Sequence, residues 1–149
     1  MSRFWKNEGR VTKEEGRLFI HRPSSILSRV LPLAEIDFSA FSDKQLKLVD
    51  YEAKWVKESF GYNNTPRIIP APLAEPVAEK VRHLALQAWD ALGCRGYARV
   101  DFRLDEKDNP YVLEVNPNPD ISPDAGFAAA LEAAKIPYEQ FVLNQLSIK

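Results

Sequence analysis

Apolar and polar residues alternate along two stretches of the chain with the period of a β-strand. From Tyr97 to Leu104, apolar side chains occupy every second position and alternate with arginine and aspartate. A polar turn from Asp105 to Pro110 follows, and Tyr111, Leu113 and Val115 are then spaced to form the apolar side of a second strand. The pattern predicts an antiparallel hairpin with one buried face and one polar face.

Apolar residues at spacings of three and four predict a helix that begins near Pro76. They are Val77, Val81, Leu84, Ala88 and Leu92. Gly93 is expected to end this helix. Further along, Asp124 is expected to cap a helix that extends to Lys135, and Pro137 is expected to open a last helix.

The remaining segments give weaker signals. Residues 17–21 and 26–31 are two short apolar runs around a turn with proline and serines, which favours a second hairpin. Residues 32–72 predict short strands and ordered loops. Residues 1–16 are rich in Lys, Arg and Glu, so we expect a loosely ordered start. Together the segments predict an α+β fold, in which an antiparallel sheet carries helices mainly on one face.

The composition of the chain bears on its size class, its binding partners and its location. The chain has 149 residues, of which 45% are apolar, enough for one core. Twenty basic residues against twenty-one acidic ones give no long-range field that favours nucleic acid or an anionic membrane. With a lone cysteine, Cys94, and no long apolar run, the sequence predicts a cytoplasmic protein without disulfide or membrane span.

The polar face of the predicted hairpin combines acidic, basic and amide side chains. If the six-residue turn pairs Leu104 with Tyr111, Asp101 lies opposite Glu114 and Arg99 lies opposite Asn116. Two carboxylates directly across a sheet repel unless a cation or proton lies between them. Carboxylate and amide oxygens suit Mg²⁺, which leaves its other positions to water and phosphate. Arg99 is placed to neutralise charge that develops on nearby oxygens.

Two alternatives leave this face without a metal. Most such polar residues simply form the wet side of an antiparallel hairpin. A register that slips by two residues would set Arg103 opposite Glu114 and convert the cluster into an ordinary cross-strand ion pair. The hairpin pattern is compatible with all three arrangements.

The stretch "GYARVDFRLDEKDNPYVLEVNPNPDIS" resembles the metal-binding hairpin of ATP-grasp ligases, in the form found in D-alanine:D-alanine ligases and their relatives. The similarity extends back through "YEAKW" and "LPLAEIDFSAF", and it covers residues 31–142. The resemblance therefore implies an ATP-grasp C-terminal, metal-binding domain over residues 31–149. Residues 1–30 are expected to form a separate N-terminal segment.

The resemblance also implies roles for individual residues. Asp101, Glu114 and Asn116 match the ligands of Mg²⁺, or of Mn²⁺ in its place. Arg99 matches the arginine that stabilises the transition state of acyl transfer. Lys54 matches a lysine that approaches the nucleotide phosphates, although a solvated loop lysine would look the same.

The implied reaction joins a small-molecule carboxylate to an amine at the expense of ATP. The γ-phosphate activates the carboxylate as an acylphosphate, which the amine then attacks to give an amide. Catalysis of this kind relies on positioning and electrostatics, and it needs no covalent protein nucleophile.

The sequence departs from the family pattern where the second substrate is held. Asp120 and Ala125 stand where a glycine and a serine are expected, and Trp55 replaces the usual tyrosine after the lysine. Asp120 and Ser122 are candidates for contact with an amine-bearing substrate. Helix capping by Asp124 and stiffening by the prolines explain the loop equally well.

Complete family members also contain an N-terminal substrate domain and a subdomain that clamps the adenine, neither of which is recognisable here. We therefore expect a C-terminal fragment or truncated form with little activity alone, whose missing half lies in the same or another chain. The alternative is a non-catalytic remnant that acts as a binding or scaffold module.

Overall fold

The computed structural model describes residues 15–21, 29–42, 44–49 and 51–146. Within these residues, six strands form one antiparallel sheet. They are β1 (Glu15–His21), β2 (Arg29–Val30), β3 (Ala34–Ile36), β4 (Arg67–Ile68), β5 (Tyr97–Leu104) and β6 (Pro110–Asn116). The order is β4-β3-β1-β5-β6, and β2 pairs with β1.

Strand β1 lies in the middle of the sheet, between β3 and β5. Ile20 pairs with Val30 of β2, which confirms the predicted hairpin at this point of the chain. A loosely ordered start was expected for residues 1–16. Glu15 and Gly16 instead begin β1, while residues 1–14 and the turn of the hairpin lie outside the described residues. Residues 15–21 are therefore part of the same sheet as the β5–β6 hairpin.

The helices of the described residues have the following bounds. They are α1 (Tyr51–Trp55), α2 (Phe60–Asn63), α3 (Glu75–Ala91), α4 (Gly126–Ala133) and α5 (Tyr138–Leu146). Among the described residues, no helix is long and apolar enough to cross a membrane.

Helix α3 packs on one face of the sheet, against apolar residues of β1 and β5. Its buried side chains are Val77, Ala78, Val81, Ala85 and Trp89. The predicted apolar face included Leu92, but that side chain is 64% exposed beyond the helix end. Gly93 follows in the left-handed region with φ 62°, as a residue that ends a helix commonly does.

The opposite face is covered by α4 and α5. Phe19 and Leu31 pack there against Phe127 and Phe141, and the rings of Phe19 and Phe127 meet edge to face at 5.1 Å. The α+β class is confirmed, but the helices are divided between the two faces. The physical reason is β1, which buries Leu18 toward α3 and Phe19 toward α4 and therefore needs cover on both sides.

The N-terminus of α4 differs from the prediction. Its N-cap residue is Ala125, which makes no capping hydrogen bond through its side chain. Asp124 precedes the cap, and the helix ends at Ala133, before Lys135. Lys135 has φ 57°, a left-handed conformation in which the helix cannot continue.

The β5–β6 hairpin contains a bulge that simple alternation did not predict. Asp101 pairs with Glu114, whereas the next residue, Phe102, pairs with Val112. Leu113 is the extra residue and is 57% exposed. The prediction that Tyr111 and Leu113 form the apolar side of β6 together with Val115 is therefore wrong. The extra residue reverses the alternation of side chains between the bulge and the turn.

The phase of α3 can be tested with a matched pair of substitutions near its C-terminal end. Trp89→Ala removes a side chain that is 1% exposed, and we expect a loss of about 3–5 kcal/mol in the free energy of unfolding. Leu92→Ala, three residues later, should change it by less than about 0.5 kcal/mol because the side chain lies in solvent. Urea unfolding followed by circular dichroism measures both, and equal losses would contradict the observed helix phase.

Candidate metal centre

Two rows of side chains cross the central strands on the face that α4 and α5 cover only in part. In the first row, Asp101 of β5 pairs with Arg17 of β1 on one side and with Glu114 of β6 on the other. In the second row, Arg99 pairs in the same way with Asn116 of β6. The pairing predicted for Asp101 and Arg99 is therefore present. The turn pairs Leu104 with Pro110, one residue earlier than expected, and the extra residue of the bulge restores the predicted register at Glu114.

Asp101 is a buried carboxylate, with 7% exposure, and Arg99 is its main partner. Nε and Nη2 of Arg99 donate to Oδ1 and Oδ2 of Asp101 at 2.8 and 3.0 Å. Nη2 of Arg99 also lies 3.6 Å from Oε1 of Glu114. The guanidinium thus relieves the repulsion between the two carboxylates, a role that the sequence argument gave to a cation or proton.

The slipped register does not occur. Arg103 stands opposite Tyr111, and its Nη2 donates to the backbone carbonyl of Lys47. This bond ties the segment that precedes α1 to the strand that carries Arg99 and Asp101. An Arg103–Glu114 ion pair is therefore not the explanation for the polar face.

The donor set on β5 and β6 fits a hard divalent ion. Asp101 and Glu114 offer carboxylate oxygens, and Asn116 lies in the adjacent row with an amide oxygen that also accepts from the backbone N–H of Asn118 at 2.9 Å. A carboxylate has about four lone-pair positions, so Asp101 can accept from Arg99 and still bind a cation. The side chain of Glu114 is 60% exposed and faces solvent, where water and phosphate oxygens would complete the coordination.

These two carboxylates are not part of a larger acidic site. The described residues contain no group of three or more His, Cys, Asp or Glu side chains placed to hold a metal ion. Two carboxylates and an amide are typical of Mg²⁺ sites that share the ion with a phosphate, rather than of sites built entirely from protein ligands.

Lys54 lies on α1, apart from the hairpin. Its side chain is exposed, while the neighbouring Ala53 is buried against α2 at Gly61, where an added Cβ would come within 2.8 Å of the Ala53 Cβ. Ser59 connects the two helices, since its hydroxyl donates to the carbonyl of Glu52 and accepts from the N–H of Tyr62. Within the described residues, Lys54 makes no hydrogen bond or ion pair with the predicted metal ligands.

The loop that follows Asn116 presents a charged carboxylate. Oδ1 of Asp120 accepts from the hydroxyl and the backbone N–H of Ser122 at 2.6 and 2.8 Å, and these hydrogen bonds lower the pKa of Asp120 below its ordinary value. The hydroxyl of Tyr138 donates to the carbonyl of Ile121 at 2.8 Å and fixes the loop to α5. Asp120 therefore carries its negative charge at neutral pH on an anchored loop.

Arg17 lies beside the candidate site and was not predicted from the sequence. Its Nε lies 4.0 Å from Oδ1 of Asp101, on the side opposite Glu114. The available signal was a charged residue at the start of an otherwise apolar run, Arg17 to Ile20. Its significance depends on the pairing of β1 with β5, which joins segments about eighty residues apart and leaves no local trace in the sequence.

Comparison with known proteins places this hairpin in a defined family. Residues 26–147 match the family model described as the D-ala D-ala ligase C-terminus. The chain belongs to this D-alanine–D-alanine ligase family. The family predicted from the motifs is thereby confirmed.

Individual relatives agree with this family. The chain is 35% identical over 128 residues to the D-alanine–D-alanine ligase of Nitrosococcus oceani, a match that covers 80% of this chain and 39% of that protein. It is 38% identical over 97 residues to D-alanine–D-alanine ligase B of Chromobacterium violaceum, across 65% of this chain and 30% of that protein. The chain thus spans about two fifths of these ligases or less.

Solved structures share the fold. The Bacillus anthracis D-alanine–D-alanine ligase in complex with ATP superposes with a TM-score of 0.65 at 22% identity, over 92% of this chain and 39% of that one. D-alanyl-alanine synthetase A of Vibrio cholerae gives a TM-score of 0.69 at 19% identity, over 92% of this chain and 38% of that one. The architecture is that of the ligase C-terminal region.

The pairing of Asp101 with Arg99 makes a prediction about stability. Asp101→Asn leaves a partly buried guanidinium beside a neutral side chain, so we expect a loss of about 1–3 kcal/mol in the free energy of unfolding. Glu114→Gln changes an exposed side chain and should cost less than about 0.5 kcal/mol. Urea unfolding at neutral pH measures both, and a stabilising Asp101→Asn would show that the two acids repel more than Arg99 compensates.

The anchored loop makes a separate prediction about ionisation. Ser122→Ala removes the hydroxyl that donates to Asp120, so the pKa of Asp120 should rise toward its ordinary value. NMR titration of the carboxyl carbon measures this change. The pKa of Asp105, which is lowered by its own hydrogen bonds with Asn109, should stay the same and serves as the internal control.

Proposed function

We propose that this chain forms the metal- and phosphate-binding part of an ATP-dependent carboxylate–amine ligase. The observation that carries the proposal is the pairing of Asp101 with Glu114 across adjacent strands, beside Arg99 and next to Asn116. Membership of the D-alanine–D-alanine ligase family supports the reaction class.

Each residue has a role that follows from its chemistry. Asp101, Glu114 and Asn116 would hold Mg²⁺, or Mn²⁺ in its place, which would offset negative charge during phosphoryl transfer. Arg99 is held by Asp101 at a fixed angle, so its guanidinium is preorganised to stabilise negative charge on the transferred phosphoryl or acyl oxygens. Lys54 is exposed on α1 and would approach the nucleotide phosphates from there.

The reaction that fits these groups forms an amide in two steps. A carboxylate oxygen of the first substrate attacks the γ-phosphorus of ATP, which gives an acylphosphate and ADP. The amine of the second substrate then attacks the acyl carbon, phosphate leaves, and the amine proton passes to solvent or to the phosphate. Such steps depend on orientation and charge stabilisation more than on covalent chemistry by the protein.

The identity of the two substrates is open within this class. The charged Asp120 at the position where the family pattern has a glycine favours an amine-bearing acceptor over an anionic one. The matched relatives are more than twice as long as this chain, so we propose that the remaining parts of the ligase, in the same or another polypeptide, complete the adenine and substrate sites.

Binding provides the sharpest test, because it does not require a complete catalytic site. Mg²⁺ and a non-hydrolysable ATP analogue together should raise the melting temperature of the chain, by an amount equivalent to about 1.4 kcal/mol at ten times Kd. Glu114→Gln should lose most of this stabilisation. Differential scanning fluorimetry and isothermal titration calorimetry measure the two effects.

Glu106→Gln is the matched control, since it neutralises an exposed glutamate in the hairpin turn away from the site. It should respond to metal and nucleotide like the wild type. Absence of any stabilisation at millimolar ligand would contradict the proposal and favour a non-catalytic binding or scaffold module.

A further inference from the structure

Residues 117–125 form a loop that passes beside Arg99. The loop begins after Asn116, which stands opposite Arg99 on β6. It ends at α4, whose Phe127 packs edge to face on Phe19, the residue that stands opposite Arg99 on β1. The loop thus starts beside one neighbour of Arg99 and ends above the other. Because neighbouring strands are only about 4.8 Å apart, the loop borders the sheet face on which Arg99 lies.

Two contacts fix the middle of this loop. The hydroxyl and the backbone N–H of Ser122 donate to Oδ1 of Asp120 at 2.6 and 2.8 Å. The hydroxyl of Tyr138 donates to the carbonyl of Ile121 at 2.8 Å and ties the loop to α5, and Pro119, which precedes Asp120, is buried. Asp120 therefore has little conformational freedom to lose when a ligand binds beside it.

Asp120 presents a carboxylate with one oxygen left for a ligand. Oδ1 accepts both hydrogen bonds from Ser122, whereas within the described residues Oδ2 makes no hydrogen bond or ion pair. Asp120 is exposed, and residues 117–125 contain no Lys, Arg or His. An ionised carboxylate only accepts hydrogen bonds, so Oδ2 fits a hydrogen-bond donor, and a positively charged donor fits best.

The amine that attacks the acyl carbon is a poor match for this carboxylate. An amine attacks only in its uncharged form, because the protonated form has no free electron pair. A carboxylate beside an amine stabilises the protonated form and so opposes the attack. The hydrogen bonds from Ser122 lower the pKa of Asp120, which makes it a weak base for removal of the proton. A group that stays positively charged throughout the reaction fits Asp120 better.

We propose that Asp120 selects an acceptor that carries a second, positively charged group in addition to the amine that attacks, an inference that rests on the proposed function. The acceptors that fit are diamines and other amines with a cationic substituent. Asp120 is a specificity-determining residue in this reaction, because it attracts such a substituent and repels a carboxylate at the same position.

The test uses three mimics of the amide product, in which the attacking nitrogen is already acylated and uncharged. N-(4-aminobutyl)acetamide carries a positive charge at its far end, N-butylacetamide carries no charge, and 4-acetamidobutanoate carries a negative charge. Each is titrated into the full isotope-labelled chain at neutral pH and low salt. The NMR shifts of the backbone amides in residues 117–125 give the three affinities.

The wild type should bind the cationic mimic about two- to fivefold more tightly than the neutral one, as an exposed ion pair does, and the anionic mimic most weakly. Asp120→Asn should bind all three with similar affinity. Asp124→Asn is the matched control, because it removes the same charge from the other end of the loop, where Asp124 lines an open cleft together with Arg67. It should keep the wild-type order of affinities.

The outcomes separate this inference from the proposed function. A cationic mimic that leaves the loop signals unchanged, or that binds no more tightly than the neutral mimic, overturns the role of Asp120. The same holds if Asp120→Asn keeps the preference or Asp124→Asn loses it equally, because direct contact with Asp120 would then not be its cause. Stabilisation by Mg²⁺ and the ATP analogue is independent of these results. If that stabilisation is absent while the preference is present, the proposed function fails and the cation does not belong to an acceptor.

Discussion

Asp101 places a carboxyl group at 7% exposure in the middle of a sheet whose other central positions are mostly apolar. Removing such a group from water costs several kcal/mol unless a partner of opposite charge and further hydrogen bonds replace the lost solvation. Arg99 supplies two hydrogen bonds and Arg17 adds a second positive charge at 4.0 Å. The geometry of the candidate site follows from this requirement, because it places Arg99 and Arg17 beside Asp101.

The fold fixes the positions of the side chains on both sides of Asp101, through the central strand β1 and the bulge in β6. Strand β1 is covered by α3 on one face and by α4 and α5 on the other, so Arg17 is carried by a rigid central strand. The bulge at Leu113 then lets β6 keep Glu114 opposite Asp101 while its turn side follows a different register. Bulges commonly redirect side chains next to functional sites, and here the irregularity lies at the boundary of the charged rows.

The donor set also differs from that of a site built entirely from protein ligands. Asp101 and Glu114 lie beside Arg99, and within the described residues no third acidic, histidine or cysteine side chain joins them to hold a metal ion. Such a set would suit an ion that shares its coordination with phosphate oxygens.

Local patterns in the sequence determined the elements. The alternation from Tyr97 to Leu104 gave the bounds of β5, and the spacing around Val77 and Val81 gave α3, because these periods reflect which face of an element is buried. The motif also identified the family. The opposition of Asp101 and Glu114 was predicted from a turn that pairs Leu104 with Tyr111, but it occurs through the bulge, because Leu104 pairs with Pro110. These features depend on residues that are close together in the chain.

Tertiary structure alone decided the features that depend on distant segments. The pairing of β1 with β5 brings Arg17 to Asp101, the end of α3 at Ala91 leaves Leu92 in solvent, and the bulge exposes Leu113. Each results from packing between elements, where a shift of one residue changes which side chains are buried but leaves the local pattern intact. The sequence therefore determined which acids and amides form the candidate metal site, and the fold determined which arginines surround it.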